Sequence, residues 1–306
     1  LKKIFAIVGP TASGKTSIGI ELAKILNAEV ISADSRQVYK GIRVASAAPI
    51  ESEMQDVRHH FINEITPETD FNAGVFAKLA RERIDSILAS GKNALIVGGS
   101  GLYIKALIDG FFEAEIDAPG IRKTLYVRME KEGKQVLFDE LQLVDPEAAR
   151  TMDSTKFRRV IRALEVYYST GMKISELQKM NDKPDFTTTQ IGILWERATL
   201  YQRINARVDK MLTDGLIDEI KGLVEQNYHY STHKSLNTVG VKEVMQYIEN
   251  LLNYDEMVTQ IKQNSRRYAK RQMTWFRKDK RINWINLNTD FDTKIEAEYI
   301  SKNYFS

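Results

Sequence analysis

The sequence predicts an α/β fold: a P-loop-type parallel sheet flanked by helices, with an all-helical insertion domain. Three observations predict it. Short apolar runs alternate with longer amphipathic ones through the first hundred residues. A complete phosphate-loop pattern lies between the first apolar run and the first amphipathic one. After Gly110 the texture turns helical, with no convincing strand until an apolar segment returns near residue 189. Such alternation makes each helix a crossover between parallel strands, and the helical interruption reads as an insertion.

The elements follow in order. Residues 4–8, Ile-Phe-Ala-Ile-Val, form a buried strand. The run is too brief for a membrane span or a signal peptide, and it leads directly into the loop. A helix is expected over 15–26, a strand over 29–33, a helix over 72–90 and a strand over 94–97. Asn72 suits the N-cap of the long helix and Gly91 its stop. Within the insertion, Phe157, Val160, Ile161, Leu164 and Tyr168 recur at helical spacing over 156–168. A core strand returns over 189–195, and helices follow over 200–215, 216–226, 241–251 and 255–277. Residues 281–287 add a last short strand. The expected division is a catalytic core of residues 1–116 and 188–306 around an insertion of 117–187.

At 306 residues, with 43% hydrophobic and 28% charged residues, the chain has the profile of a soluble globular protein with a sizeable core. It contains no cysteine, which excludes a thiol nucleophile, a cysteine zinc site and disulfides, and fits a reducing cytoplasm. No membrane span is expected. The first residue is Leu1 rather than Met, so a residue or more is expected upstream. The net charge of +3 is small, but between Lys262 and Arg281 nine basic residues stand against one acid, Asp279. That excess suits either a polyanionic partner or a solvated helix face.

Gly9-Pro10-Thr11-Ala12-Ser13-Gly14-Lys15-Thr16 matches G-x-x-x-x-G-K-[ST] in full, between strand and helix as the pattern requires. Gly14 lets the backbone turn and approach phosphate oxygens, while loop amides and the helix N-terminus converge on the anion. Lys15 sets a positive charge at the terminal phosphates, and the Thr16 hydroxyl is a ligand for Mg²⁺. The pattern identifies a bound diphosphate or triphosphate rather than a reaction. A small-molecule kinase, an NTPase or a transferase with a diphosphate leaving group would all keep it.

Asp34-Ser35-Arg36-Gln37-Val38-Tyr39-Lys40-Gly41 follows the second strand. Carboxyl ends of parallel strands line the ligand crevice, so Asp34 is expected to face the phosphate loop. A carboxylate there accepts a proton from a nucleophile or holds Mg²⁺ through water. An Asp-Ser pair also caps turns.

Together these two segments resemble the tRNA dimethylallyltransferases. Gly98-Gly99-Ser100-Gly101-Leu102-Tyr103 is similar to the family's Gly-Gly-Thr-Gly-Leu-Tyr, with Ser100 keeping the hydroxyl. Arg158-Arg159-Val160-Ile161-Arg162-Ala163-Leu164-Glu165-Val166 resembles its tRNA-contacting helix. Residues 203–208 and 215–219 resemble its later helices, and 268–277 its C-terminal signature. The resemblance runs collinearly through nearly the whole chain. It departs at Val241, where the family commonly has Tyr, and at 45–49, where Ala-Ser-Ala-Ala-Pro replaces Gly-Thr-Ala-Lys-Pro.

The resemblance implies dimethylallyl diphosphate as donor, adenosine 37 in the tRNA anticodon arm as acceptor, Mg²⁺ as cofactor, and a cytoplasmic monomer. It implies that residues Gly9 to Thr16, with Arg207 and a further guanidinium from Arg203, hold the diphosphate. Asp34 becomes the general base for the adenine 6-amino group, with Lys15 and Thr16 completing the catalytic set. The tRNA contacts then fall to Asp34, Ser35, Arg36, Gln37 and Ser100, to Lys270 and Arg271, and to Arg122, Arg158, Arg159, Val160, Ile161 and Arg162 of the insertion.

Rival readings make distinct demands. An adenylate isopentenyltransferase acting on free nucleotides would lack the insertion and the basic C-terminal helix. A small-molecule kinase would not need the Arg-rich segment, and a non-catalytic nucleic-acid binder would not need the loop with Asp34. His59-His60 suits either a nucleic-acid contact or a hydrogen-bonded pair. His229 and His233 stand four apart without a third ligand nearby, so no metal is expected there. Trp275 and Phe276 are expected in the core.

Overall fold

The computed structural model of the protein describes residues 2–111, 119–180 and 183–305. The chain divides into two compact units, one of Leu1–Ile108 with Pro184–Ser306 and one of Asp109–Lys183. The junction expected at 116/117 lies outside the described residues.

In the first unit, strand β1 (Lys2–Val8) leads to helix α1 (Lys15–Ile25), β2 (Ala28–Ala33) and a two-residue strand β3 (His59–His60). Helix α2 (Ala73–Ala89), β4 (Asn93–Gly98) and α3 (Gly101–Asp109) follow. The second unit holds α4 (Pro119–Glu132), α5 (Lys134–Val144) and α6 (Phe157–Thr170). The chain then returns through β5 (Phe186–Trp195), α7 (Arg197–Thr213), α8 (Leu216–Glu225), α9 (Val241–Ile248), α10 (Tyr254–Phe276), β6 (Ile282–Leu287) and α11 (Thr293–Tyr304).

The sheet has six strands in the order β3-β2-β4-β1-β5-β6, all parallel. Strand β1 lies between β4 and β5, with Val8 opposite both Gly98 and Gly192. Its Ile4, Ala6, Ile7 and Val8 are fully buried, as in a parallel strand covered on both faces. Ile7, Ile18, Leu22, Leu95, Ile191 and Ile300 belong to one core that joins α1 and α11 to the sheet. The loop after β1 therefore leaves from the middle of the sheet, beside the carboxyl ends of its neighbours. Ligands of open α/β sheets bind in that crevice.

Among the elements not expected are helix α3 over Gly101–Asp109, strand β3 and helix α11. Strand β3 pairs with Val30 and Ile31 at the sheet edge, and two residues are too few to carry a periodicity. Helix α11 begins at an N-cap, Asp292, whose carboxylate accepts from the amides of Lys294 and Ile295. The described residues of the second unit form helices joined by turns, with no strand among them. Leu125, Leu137, Leu141, Val160, Ile161 and Leu164 form its core.

Candidate active site

The phosphate loop is held open by contacts that come from far along the chain. Gly14 has φ 86°, a left-handed conformation that L side chains rarely adopt. No side chain caps α1, so its first amides remain available to an anion. Trp195 donates its indole N–H to the Ser13 carbonyl at 2.9 Å. Arg203 donates to the Ala12 carbonyl at 2.9 Å, with its guanidinium 4.3 Å from the Trp195 ring and 5.4 Å from Phe291. Buried Gln272 accepts from the Thr11 amide at 2.8 Å and donates to the Gly99 carbonyl at 2.9 Å, bridging the loop to the glycine-rich turn. A side chain at Gly99 would collide with that amide, and one at Gly101 with the Trp275 ring.

Lys15 is buried and donates to the Pro10 carbonyl at 3.2 Å. Burial lowers its ammonium pKa to about 8; Arg207 adds repulsion and Asp34 partly offsets both. Burial also lowers the Arg207 guanidinium, against the attraction of Asp34.

Asp34 both caps its turn and faces the loop. One carboxylate oxygen accepts from the amide of Arg36 at 2.9 Å. The side chain lines a cavity of about 410 Å³ together with Lys15, Thr16, Arg207 and Tyr268. Ser100 accepts from the Ser35 amide at 2.9 Å, so the hydroxyl kept at this position ties the Asp34 turn to β4. Burial pushes the pKa of Tyr268 up to about 12, and the Asp34 carboxylate adds to the rise. Ile204, Val208, Met211 and Ile261 give the cavity an apolar side.

A second cleft of about 630 Å³, with Ser13, Gly14, Ser17 and Arg203 in its walls, shares Lys15, Thr16 and Arg207 with the first. The same three side chains, two cations and a hydroxyl, are thus reached from two mouths.

A family model described as IPP transferase matches residues 37–279. The chain belongs to the IPP transferase family. A tRNA dimethylallyltransferase of Salinibacter ruber is 42% identical over 281 residues, covering 92% of this chain and 87% of the relative. One from Bacillus subtilis is 40% identical over 299 residues, covering 97% and 95%. Among solved structures, a tRNA isopentenylpyrophosphate transferase of Bacillus halodurans is 38% identical with a TM-score of 0.73, covering 99% of this chain and 96% of that one. A eukaryotic dimethylallyltransferase acting on tRNA superposes with a TM-score of 0.83 at 29% identity, covering 100% and 79%. The chain is an enzyme, a transferase of the tRNA-modifying kind that these names describe.

Within this IPP transferase, the expected tRNA contacts separate into distinct groups. Arg36 donates to the Ser235 carbonyl at 2.7 Å, and Gln37 accepts from Ser32 at 3.0 Å and donates to Ala47 at 3.3 Å. Both line the cavity but also hold its walls. Arg271 lines the cavity, whereas Lys270 points into a different cleft. Successive residues on a helix point about 100° apart, so the two face different clefts. In the second unit, Arg158 and Arg159 are exposed, and Arg122 and Arg162 share the buried Glu165 carboxylate at 2.7 and 3.0 Å. Val160 and Ile161, expected among the contacts, are instead locked in that unit's core, with side chains 1% and 2% exposed.

His60 stands 2.7 Å from buried Glu29, which also takes Lys92 at 2.9 Å, and His59 bonds the Val57 carbonyl at 2.8 Å. The pair is hydrogen-bonded into the sheet edge. His229 is engaged by Ser231 and Glu249, and no group of three metal-ligating side chains occurs among the described residues. Phe276 is buried as expected, but Trp275 remains 38% exposed because it lies over Gly101 at the surface. Val241 is fully buried and offers no hydroxyl. The contacts that sequence reasoning missed are those of Gln272, Trp195 and Phe291. Their only sequence signal is the C-terminal signature, which marks Gln272 without saying what it touches.

Proposed function

We propose that this enzyme transfers a dimethylallyl group from dimethylallyl diphosphate to the exocyclic 6-amino group of adenosine 37 in tRNA, releasing pyrophosphate. One observation carries the reading: Asp34 and the phosphate loop open into one cavity whose anion-binding groups are also reached from a second cleft. A nucleobase has access from one mouth and a prenyl diphosphate from the other.

In this reading the adenine nitrogen forms the new bond to C1 of the dimethylallyl group as the bond from C1 to the diphosphate oxygen breaks. The amino proton passes to Asp34, which lowers the barrier because the amine lone pair is delocalised into the ring. The loop amides, Lys15 and Arg207 receive the negative charge that grows on the departing oxygen. The apolar side of the cavity, Ile204, Val208, Met211 and Ile261, suits the isoprenoid. The donor set fits Mg²⁺: Thr16 borders both clefts beside an uncapped helix start, and its hydroxyl would hold the ion, which when bound neutralises diphosphate charge. The acceptor, in a folded anticodon loop, is splayed out to reach the cavity. Among the described residues no helix is long and apolar enough to cross a membrane. We read the enzyme as a cytoplasmic monomer, since tRNA is its substrate and one chain carries both clefts.

The test is to incubate the protein with labelled dimethylallyl diphosphate and, separately, unmodified tRNA or AMP. Label is expected in tRNA alone. Label in AMP, or ATP turnover without label transfer, would replace this reading.

A further inference from the structure

Resting on the tRNA reading above, we propose a second RNA subsite: a slot for one unstacked nucleotide on the face of α10 turned away from the catalytic cavity. Tyr268 and Arg271 of α10 line the cavity. Lys270, Met273 and Arg277 instead line a cleft of about 200 Å³ against the start of α7. At 3.6 residues per turn these are opposite faces of one helix.

The cleft has an apolar floor, with Leu200, Tyr201 and Met273, and a rim of three cations, Arg197, Lys270 and Arg277. No acidic side chain lines it. Among the described residues none of the three cations is held in an ion pair. The Arg197 guanidinium lies 5.2 Å from the Tyr201 ring and donates to its hydroxyl at 3.3 Å, so a cation–aromatic pair already stands at the edge.

Size and charge select the occupant. The cleft falls below the roughly 300–1,000 Å³ of pockets for drug-sized ligands, so it takes a single ring system. An apolar floor with an aromatic ring and a guanidinium beside it suits the face of a nucleobase, and surrounding cations suit the phosphates on either side of it. An acidic peptide would use the cations and leave the floor unfilled. Trp195 forms part of the back wall of the slot and bonds the phosphate loop at Ser13, so slot and loop share one side chain.

The experiment uses the whole enzyme and a set of anticodon stem–loop RNAs, each carrying one abasic nucleotide in the loop. Fluorescence anisotropy measures binding to wild type, Tyr201→Leu, Arg197→Ala and Lys270→Ala. One abasic position other than the reacting adenosine should weaken wild-type binding about tenfold, as loss of a stacked base does. The same position should cost little further in Tyr201→Leu or Arg197→Ala, while Lys270→Ala weakens every RNA alike. Unchanged affinity for dimethylallyl diphosphate shows that each variant is folded. If no abasic position couples to the slot variants while wild type binds the stem–loop, the slot is overturned and the tRNA reading stands. If wild type binds no stem–loop, both fall. Slot variants that lose binding to an acidic peptide but to no RNA would also overturn the proposal.

Discussion

At the scale of single residues, Lys15 connects stability with function. Its pKa, lowered by burial to about 8 from 10.5, means that the unfolded chain binds more protons than the native one between those values. Stability therefore rises with pH across that window, and below pH 8 the cost of the buried charge is felt in full. Replacing the charge by Lys15→Met should raise the thermal unfolding midpoint while weakening diphosphate binding about 10- to 100-fold, the range for a charge-assisted hydrogen bond. A midpoint that falls would contradict the account. In the wild type, an arriving diphosphate draws a proton onto Lys15, so donor affinity should decline as pH rises past 8. Titration calorimetry in buffers of different ionisation enthalpy should register proton uptake there. For Asp34, the Asn variant keeps an acceptor for the Arg36 amide and loses the basicity, along with the charge that faces Lys15 and Arg207. Its single-turnover rate should fall about 10²–10⁴-fold with tRNA affinity retained; near-normal chemistry would remove Asp34 as the base.

At the scale of elements, α10 organises the site. One helix contributes Tyr268 and Arg271 to the cavity, Gln272 to the phosphate loop and Trp275 to the glycine-rich turn. Gln272→Met would leave the Thr11 amide and the Gly99 carbonyl unpaired, at a cost of about 1–3 kcal/mol each. We expect a lower unfolding midpoint and a loss in kcat/KM that falls mainly on the donor; a variant with wild-type kinetics would show that the bridge is dispensable. This helix also marks how far the sequence can be read. Its span is legible from the apolar period of Met257, Ile261, Ala269 and Phe276, and its basic character from composition. Its division of labour is not, because a bond between residues 11 and 272 has no local signature. The phosphate loop and Asp34 are legible because their chemistry is local. Arg36 reads as a free cation in the sequence, yet the fold sets the Ser235 carbonyl, 199 positions away, beside it.

At the scale of the whole molecule, a net charge of +3 says little about an RNA partner, and the distribution says more. Exposed Arg158 and Arg159 in one unit, and Lys270 and Arg277 of α10 in the other, supply cations that no neighbouring carboxylate neutralises among the described residues. Binding of tRNA should weaken steeply between about 50 and 200 mM salt, and Arg158→Ala with Arg159→Ala should reduce the salt slope by about 1 for each phosphate no longer neutralised. A flat salt profile would sink this electrostatic reading.

The bracing of the phosphate loop has a further consequence. Trp195, Arg203 and Gln272 hold the cradle in shape before any ligand arrives, so little ordering remains to oppose capture of a bare anion. In the proposed reaction the leaving group carries the same two phosphates as the donor, so the cradle should accept both. Pyrophosphate should therefore act as a competitive product inhibitor at concentrations comparable to the KM of the prenyl donor, and sustained turnover should need a hydrolase to clear it. Progress curves that straighten on adding inorganic pyrophosphatase would register this, and curves indifferent to it would mean that the cradle relaxes after each reaction.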